Sequence, residues 1–285
     1  MTEEFPTIGI VGEGALVPML NAPALALGVE LVNIAPPVDS EILARCAVIS
    51  VFDSSIPISQ VKNFESAGAI CRPNSTSMTF VKEWNEGPRK QESADAVFSV
   101  LVARSPHGQA SAWTPTEITS GLSTTTTITP SPRLGHGRME IAQSLAMALI
   151  KESNTSGVME VEIVLRNGEL IAQRLSLGPR FNGSWTIEGA RTSQFEQHLR
   201  AILDLPLGDP LLLARNVVTG SYSGGSNMYR PYLHLMARSP GMKIHQYRSG
   251  LSETKGHVTA MGHDLLDLRE CVTHAVEYMS GVIDE

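Results

Sequence analysis

The opening of the chain leaves it few architectural options. Thr7 to Val11 is a β-branched run ending in Gly12-Glu13-Gly14; a helix-compatible stretch follows to Leu27, Gly28 stops it, and Val29 to Ile34 is a second apolar run. Strand, helix and strand in that order make a βαβ unit. Cys46 to Phe52 reads as a third buried strand, Ile58 to Ala67 as a helix, and Ala69-Ile70-Cys71 as a fourth strand before Arg72-Pro73. The first 75 or so residues thus predict a small parallel-sheet domain. Val17 stands where G-x-G-x-x-G would need its third glycine, so the glycine pair reads as a tight strand-to-helix turn ahead of a dinucleotide site.

From Lys82 to Ala94 the sequence KEWNEGPRKQESA is polar, charged and broken by Gly87-Pro88, the composition of an exposed connection and a domain boundary. Beyond it the pattern changes to antiparallel α+β. Ala96 to Arg104, Gln109 to Trp113, Thr124 to Ile128, Gly157 to Leu165 and Leu170 to Leu175 read as strands, and Arg138 to Lys151 has helical apolar spacing. The Thr124 to Thr127 run is read as strand because threonine is a good strand former. Ser193 to Leu203 is an amphipathic helix stopped by Pro206 and Gly208; short strands are expected at Tyr232 to Met236, Lys243 to Gln246 and His257 to Met261, and a terminal helix over Leu265 to Met279.

Composition narrows the partners. With 22 Lys and Arg against 29 Asp and Glu the net charge is −7, without long blocks of one sign, which excludes a polyanion held by counterion release, so no nucleic acid is expected. The most apolar stretch, Ala15 to Ile34, is interrupted by Pro18, Asn21, Pro23, Gly28, Glu30 and Asn33, so no membrane span is expected there. The acidic start argues against a secretory signal, and the three cysteines, Cys46, Cys71 and Cys271, form neither a disulfide framework nor a zinc-knuckle spacing; a reducing cytoplasmic location is expected.

Candidate chemistry is sparse. Glu160 and Glu162 flank Val161 on a strand and so share a face; Arg166 and Arg174 lie near in sequence, favouring a cross-strand salt bridge over a metal or acid/base pair. His245 and His257 lie in apolar strand surroundings and His136 in a glycine-flanked loop. No carboxylate or cysteine shares their spacing, so they read as structural or exposed, and no metal site is expected. No G-x-S-x-G elbow is present. The SYSGGS segment, Ser221 to Ser226, is a minor candidate for a phosphate nest beside the plainer reading as a flexible hairpin or loop.

Four segments carry a resemblance: IGIVGEGALVPML at 8 to 20, SVLVARSPHGQASAW at 99 to 113, GSWTIEGARTSQFEQHLRAILDLPLGDP at 183 to 210, and KIHQY to KGHVTAMGHD at 243 to 264. They resemble the N5-carboxyaminoimidazole ribonucleotide synthetases, ATP-grasp ligases of purine biosynthesis. The resemblance implies an α/β and α+β fold: a Rossmann-like preATP-grasp domain over 1–80, a linker over 81–95 replacing one subdomain of the nucleotide clamp, an ATP-grasp C-like α+β domain over 96–210, and a C-terminal β-rich domain with a terminal helix over 211–285.

Such a ligase makes an acyl phosphate and needs magnesium on the nucleotide phosphates. Of the two acidic positions that serve this in the family, the first matches Val161-Glu162, while the second falls on Gln173-Arg174 and presents a guanidinium. The family's His-Asn-Ser-Gly loop matches Arg180-Phe181-Asn182-Gly183, keeping the glycine alone. Ala15 replaces a glutamine, Phe52 and Ser54 replace paired acidic residues, and Ser249, Glu253 and Thr254 replace phosphate-binding Lys, Arg and Lys, with Lys255 one place away. The resemblance therefore implies a catalytically inactive homologue acting as a binding or regulatory protein, with no cofactor; ATP and Mg2+ are expected only if the ancestral activity persists. The alternatives are an active ligase completed by a partner chain and a small-molecule sensor that uses the old cleft for an uncharged or differently charged ligand, a small anion being one that Arg174 and Arg180 would suit. A homodimer or heterodimer is expected. Gly12, Gly14, Glu162, Arg174, Arg180 and His257 are the expected remnants of the ancestral pocket.

Overall fold

A computed structural model describes all residues except 1–4, 13, 36–39, 53–54, 89–92, 121–123, 226–228, 248–253 and 284–285. The expected βαβ start is present: β1 (Thr7–Val11), α1 (Asn21–Leu27) and β2 (Glu30–Asn33), with Gly28 closing α1 in the left-handed conformation at φ +67°. With α2 (Ser40–Arg45), β3 (Val48–Val51), α3 (Ile58–Ser66) and β4 (Cys71–Arg72) they complete a parallel sheet of order β2-β1-β3-β4.

Next come α4 (Ser75–Glu86), β5 (Ala96–Arg104), β6 (Ala110–Ala112), β7 (Thr116–Ser120), β8 (Thr125–Thr129) and α5 (His136–Glu152). They are followed by β9 (Gly157–Arg166), β10 (Glu169–Leu177), α6 (Thr186–Gly189), α7 (Gln194–Ile202) and β11 (Asn216–Ser223). The chain ends with α8 (Arg230–Arg238), β12 (Lys243–Gln246), β13 (Thr254–Gly262) and α9 (Leu265–Ser280). Nine of these strands form one antiparallel sheet, ordered β10-β9-β5-β7-β8-β11-β13-β12 with β6 paired to β5. The sheet runs unbroken from the central residues into the C-terminal ones through the β8–β11 pairing.

Two expectations are corrected. Tyr232 to Met236, expected as a strand, lies in α8: Pro231 is pre-set for the first helical turn, and the segment buries Leu235 while leaving Leu233 and Met236 exposed. The polar stretch from Lys82, expected as an exposed connection, is exposed at Lys82, Glu83, Asn85 and Glu86 but begins as the last turn and a half of α4, with Trp84 packed against the core shared by α5, β5, β9 and β10. Strands β7 and β11 were not legible as such. Among the described residues no helix is long and apolar enough to cross a membrane.

Helix α7 joins the two sheets. Phe195, Leu199 and Ile202 share a core with Ile8, Leu20 and Val48 of the parallel layer. His198, wholly buried, accepts a hydrogen bond at Nδ1 from the Val158 amide of β9 (3.3 Å), which leaves Nε2 to donate to Ser50 Oγ of β3 (2.9 Å). The Arg72 guanidinium donates to the Ile202 carbonyl at the C-terminus of α7, where the helix dipole favours a cation. Burial lowers the His198 pKa to about 4.

A histidine at 6.5 in the unfolded chain and about 4 in the fold binds its proton only after unfolding, so its stabilisation is complete above pH 6.5 and is lost as pH falls toward 4. The expected slope is about 1.4 kcal/mol per pH unit in that window. Urea denaturation of wild type and His198→Gln at pH 7.5, 6 and 5 isolates this share; parallel curves would refute it. Gly157 lies at φ +114° with an added Cβ only 3.0 Å from His198 Cε1, so Gly157→Ala should cost ~1–3 kcal/mol in the same assay.

Candidate functional site

Strand β9 sorts its side chains by parity. Met159, Val161 and Ile163 enter the core beneath α5, and Glu160 and Glu162 face the opposite side, where a cleft opens. Strand β10 starts with Leu170 and Ala172 on the core side, so plain alternation would send Arg174 inward too. A register shift between Ala172 and Arg174 inserts one residue, after which Leu175 and Leu177 take the core side. Arg174 is thereby turned into the cleft directly opposite Glu162, with Ser176 opposite Glu160.

Glu160 faces Ser176 across the strands, and its partners among the described residues are hydrogen-bond donors in place of the expected salt bridge. Its Oε1 accepts hydrogen bonds from Ser99 Oγ (2.5 Å) and Asn182 Nδ2 (2.8 Å). Glu162 keeps the electrostatic relation to Arg174, yet its pKa is raised, first by burial and then by the neighbouring Glu160 charge, with Arg174 pulling the other way.

The cleft has two chambers. The larger, of about 570 Å³, lies between the parallel sheet, α4 and β10 and is walled by Ile56, Pro57, Ile58, Met78, Val81 and Leu177. The smaller, of about 240 Å³, is polar: Thr125, Thr127, Glu160, Glu162, Thr219 and Ser221 are among its walls. Arg174, Ser176 and Arg180 line both and stand between them. Gln194 fixes Arg180 by its backbone, accepting from the amide (2.9 Å) and donating to the carbonyl (2.8 Å). Gly183 lies so close that an added Cβ would sit 2.7 Å from Gln194 Cδ and 2.6 Å from Leu101 Cδ1, which is why glycine is needed there.

Four of the six expected residues, Glu162, Arg174, Arg180 and His257, meet at the polar chamber. Gly12 and Gly14 line neither chamber; Gly12, at φ +113°, makes the turn after β1. Phe52 is buried edge-on against His198, and Phe181 lines the polar chamber beside Tyr247. Thr254 also lines that chamber, whereas Ser54, Ser249 and Glu253 lie outside the described residues. Of the SYSGGS candidate, Ser221 to Ser223 belong to β11, with Ser221 in the chamber wall; Ser226 lies outside the described residues.

Thr125 and Thr127 of β8, read from sequence as strand formers only, are both strand and chamber wall. The histidines gain the carboxylate that their spacing did not supply. Glu188, on the short α6, places Oε1 2.6 Å from His245 Nε2, and the His245 ring stacks on His257 at 4.6 Å between centroids. His257 is buried and shares a 2.6 Å hydrogen bond between Nδ1 and the Tyr247 hydroxyl. Its pKa lies well below the ordinary value through burial and the adjacent His245. Burial raises the thiol pKa of Cys46, and that of Cys71 to about 12, which disfavours either as a nucleophile.

Residues 93–195 match the ATP-grasp domain family. The N5-carboxyaminoimidazole ribonucleotide synthase of Mycobacterium tuberculosis is 38% identical over 193 residues, covering 64% of this chain and 44% of that protein. The Bacillus subtilis synthase is 33% identical over 172 residues, covering 57% of this chain and 43% of its own. These matches thus span less than half of the relatives' length. The crystal structure of the Thermotoga maritima synthetase superposes with TM-score 0.81 at 19% identity, covering 96% of this chain and 98% of that one, a likeness of fold.

Removing the guanidinium should raise the Glu162 pKa further, because the one charge that favours its ionised form is lost. Carboxyl-detected NMR titration of Arg174→Ala against wild type should show the Glu162 midpoint moving to higher pH. An unchanged midpoint would mean that the two groups do not sense each other.

Proposed function

Starting from a chain that is a homologue of the N5-carboxyaminoimidazole ribonucleotide synthases and carries an ATP-grasp domain, we propose a catalytically silent binding protein that holds a small anionic ligand in the inherited cleft. The observation that carries this reading is Arg174, turned by the β10 register shift to stand opposite Glu162. Magnesium bridging nucleotide phosphates is held by carboxylates and waters. Here Glu160 is engaged by Ser99 and Asn182, and Glu162 faces a guanidinium. A dication about 5 Å from that guanidinium would be repelled by roughly 7 kcal/mol at an effective dielectric of about 20. The donor set does not fit the ion, and no ATP-dependent step is assigned to it.

The same arrangement suits an anion. Arg174 and Arg180 line both chambers, and guanidinium forks bind carboxylate or phosphate in bidentate fashion. The hydroxyl of Thr125 supplies a further donor in the polar chamber, where those of Thr127 and Ser221 already donate to the Thr219 and Thr125 carbonyls, while the apolar chamber accepts the body of the ligand. The cover of β10 supports the silent reading as well. Asn85 of α4 donates to the Leu175 carbonyl (2.8 Å) and accepts from its amide (3.0 Å), in the interval that the family resemblance gives to half of the nucleotide clamp.

Purified protein given ATP, magnesium, aminoimidazole ribonucleotide and bicarbonate should form no ADP above the blank; turnover by the chain alone overturns the proposal. Turnover that requires a full-length synthase in the mixture would support instead a ligase completed by its partner. In a thermal-shift series of phosphorylated and carboxylated metabolites, stabilising ligands should lose ~10-fold or more in affinity in Arg174→Ala, corresponding to one charge-assisted contact. Identical melting with every compound contradicts an anion site.

A further inference from the structure

The cluster beside the polar chamber has a property that the anion reading does not use. Glu188, His245 and His257 each bring one donor atom within 4.8 Å of the other two. Two polar atoms of this trio, Glu188 Oε2 and His257 Nε2, are buried and have no hydrogen-bond partner among the described residues. Leaving a buried polar atom unpaired costs about 1–3 kcal/mol, so two in one cluster point to a missing occupant. Two imidazoles and a carboxylate are the donor set that a borderline cation such as zinc takes when one coordination position stays open.

We propose that Glu188, His245 and His257 form a binding site for a divalent transition metal of the zinc class.

The surroundings hold the donors as such a site requires. The 2.6 Å contact of His257 Nδ1 with Tyr247 Oη orients the ring, and in the tautomer whose Nδ1–H donates to Tyr247 Oη the Nε2 lone pair is free to take a cation. The Tyr247 hydroxyl in turn lies 3.5 Å from Ser184 Oγ. His257 is held in β13, paired with β11 on one side and with β12, which carries His245, on the other. Glu188 side-chain exposure is 12% and that of His245 is 26%, so a path to solvent exists on the His245 side. His245 Nε2–H is shared with Glu188 Oε1, and the His245 and His257 rings lie within 15° of parallel. Binding exchanges that proton, released to solvent, for the cation. The more exposed His245 ring tilts to aim its lone pair, and the donors draw in to the roughly 3.4 Å separation that bonds of about 2.0–2.1 Å impose. His257 and Tyr247 also line the polar chamber, so the open position adjoins it.

A second histidine pair provides the internal control. His234 on α8 and His274 on α9 have ring centroids 5.8 Å apart, and His234 stacks on Tyr278. They have no carboxylate in a cluster of this kind among the described residues.

The full chain, stripped by chelator and dialysed, is titrated with Zn2+ in competition with a chromophoric chelator and with Co2+ followed by visible absorption, without added anions. The expected result is one equivalent bound with Kd in the micromolar range or below and a Co2+ spectrum of four- or five-coordinate type. Affinity should fall at least 10-fold in both Glu188→Gln and His257→Gln and stay unchanged in His234→Gln. Tyr247→Phe, which keeps all three donors, should weaken binding about 10-fold through the lost support of His257. Circular dichroism confirms that each variant is folded; if a buried variant is not, His245→Asn on the more exposed partner gives the same reading. Absence of binding, binding indifferent to the Glu188 and His245 changes, or loss in His234→Gln would each overturn the site. Because no anion or nucleotide is present, failure here leaves the anion reading standing, and failure of that reading leaves this one standing.

Discussion

Everything at the cleft depends on how one helix is held between two sheets. Helix α7 gives its apolar residues to the parallel layer and its histidine to both layers at once, since His198 accepts a hydrogen bond from β9 and donates one to β3. Only the neutral imidazole can do both. Burial enforces that state, and the geometry leaves no room for a side chain at Gly157. The two chambers are spaces left between bodies fixed at this point: the apolar one between the parallel sheet, α4 and β10, the polar one over the face of the antiparallel sheet.

Within that frame a single extra residue in β10 decides the electrostatics. Upstream of the shift the strand obeys the parity of its core; downstream the parity is reversed, so a guanidinium that alternation would have buried emerges opposite a carboxylate. A buried unpaired arginine would be prohibitive, whereas the same group in a polar cleft is tolerated.

The parallel-sheet start was legible because each signal was local: a β-branched run, a glycine stop, a second run. The strand and helix character of β5, β9, α5 and α7 followed from periodicity in the same way. What escaped was set by partners distant in sequence. Thr116 to Ser120 has strand formers in Thr116, Ile118 and Thr119 but is short and mixed with polar residues, and pairing with β5 and β8 on either side fixes it as a strand. The segment around Leu235 has apolar residues dense enough for either period, and the choice was made by Pro231 and by packing on α9. At the site, Glu162, Arg174, Arg180 and His257 were found through the resemblance to a family. Glu188 was missed because its histidine neighbour lies 57 positions away, a separation with no signature in spacing.

The nine-stranded sheet is open, with β10 and β12 as its two rims. An open rim offers unpaired amides and carbonyls to any extended chain that drifts past. At Leu175 the carboxamide of Asn85 answers both backbone groups as a neighbouring strand would, so one side chain on a helix stands in for a strand that was never added. This amide plug takes both groups at Leu175 away from strand-by-strand growth while leaving the charged face of β10 open to the cleft.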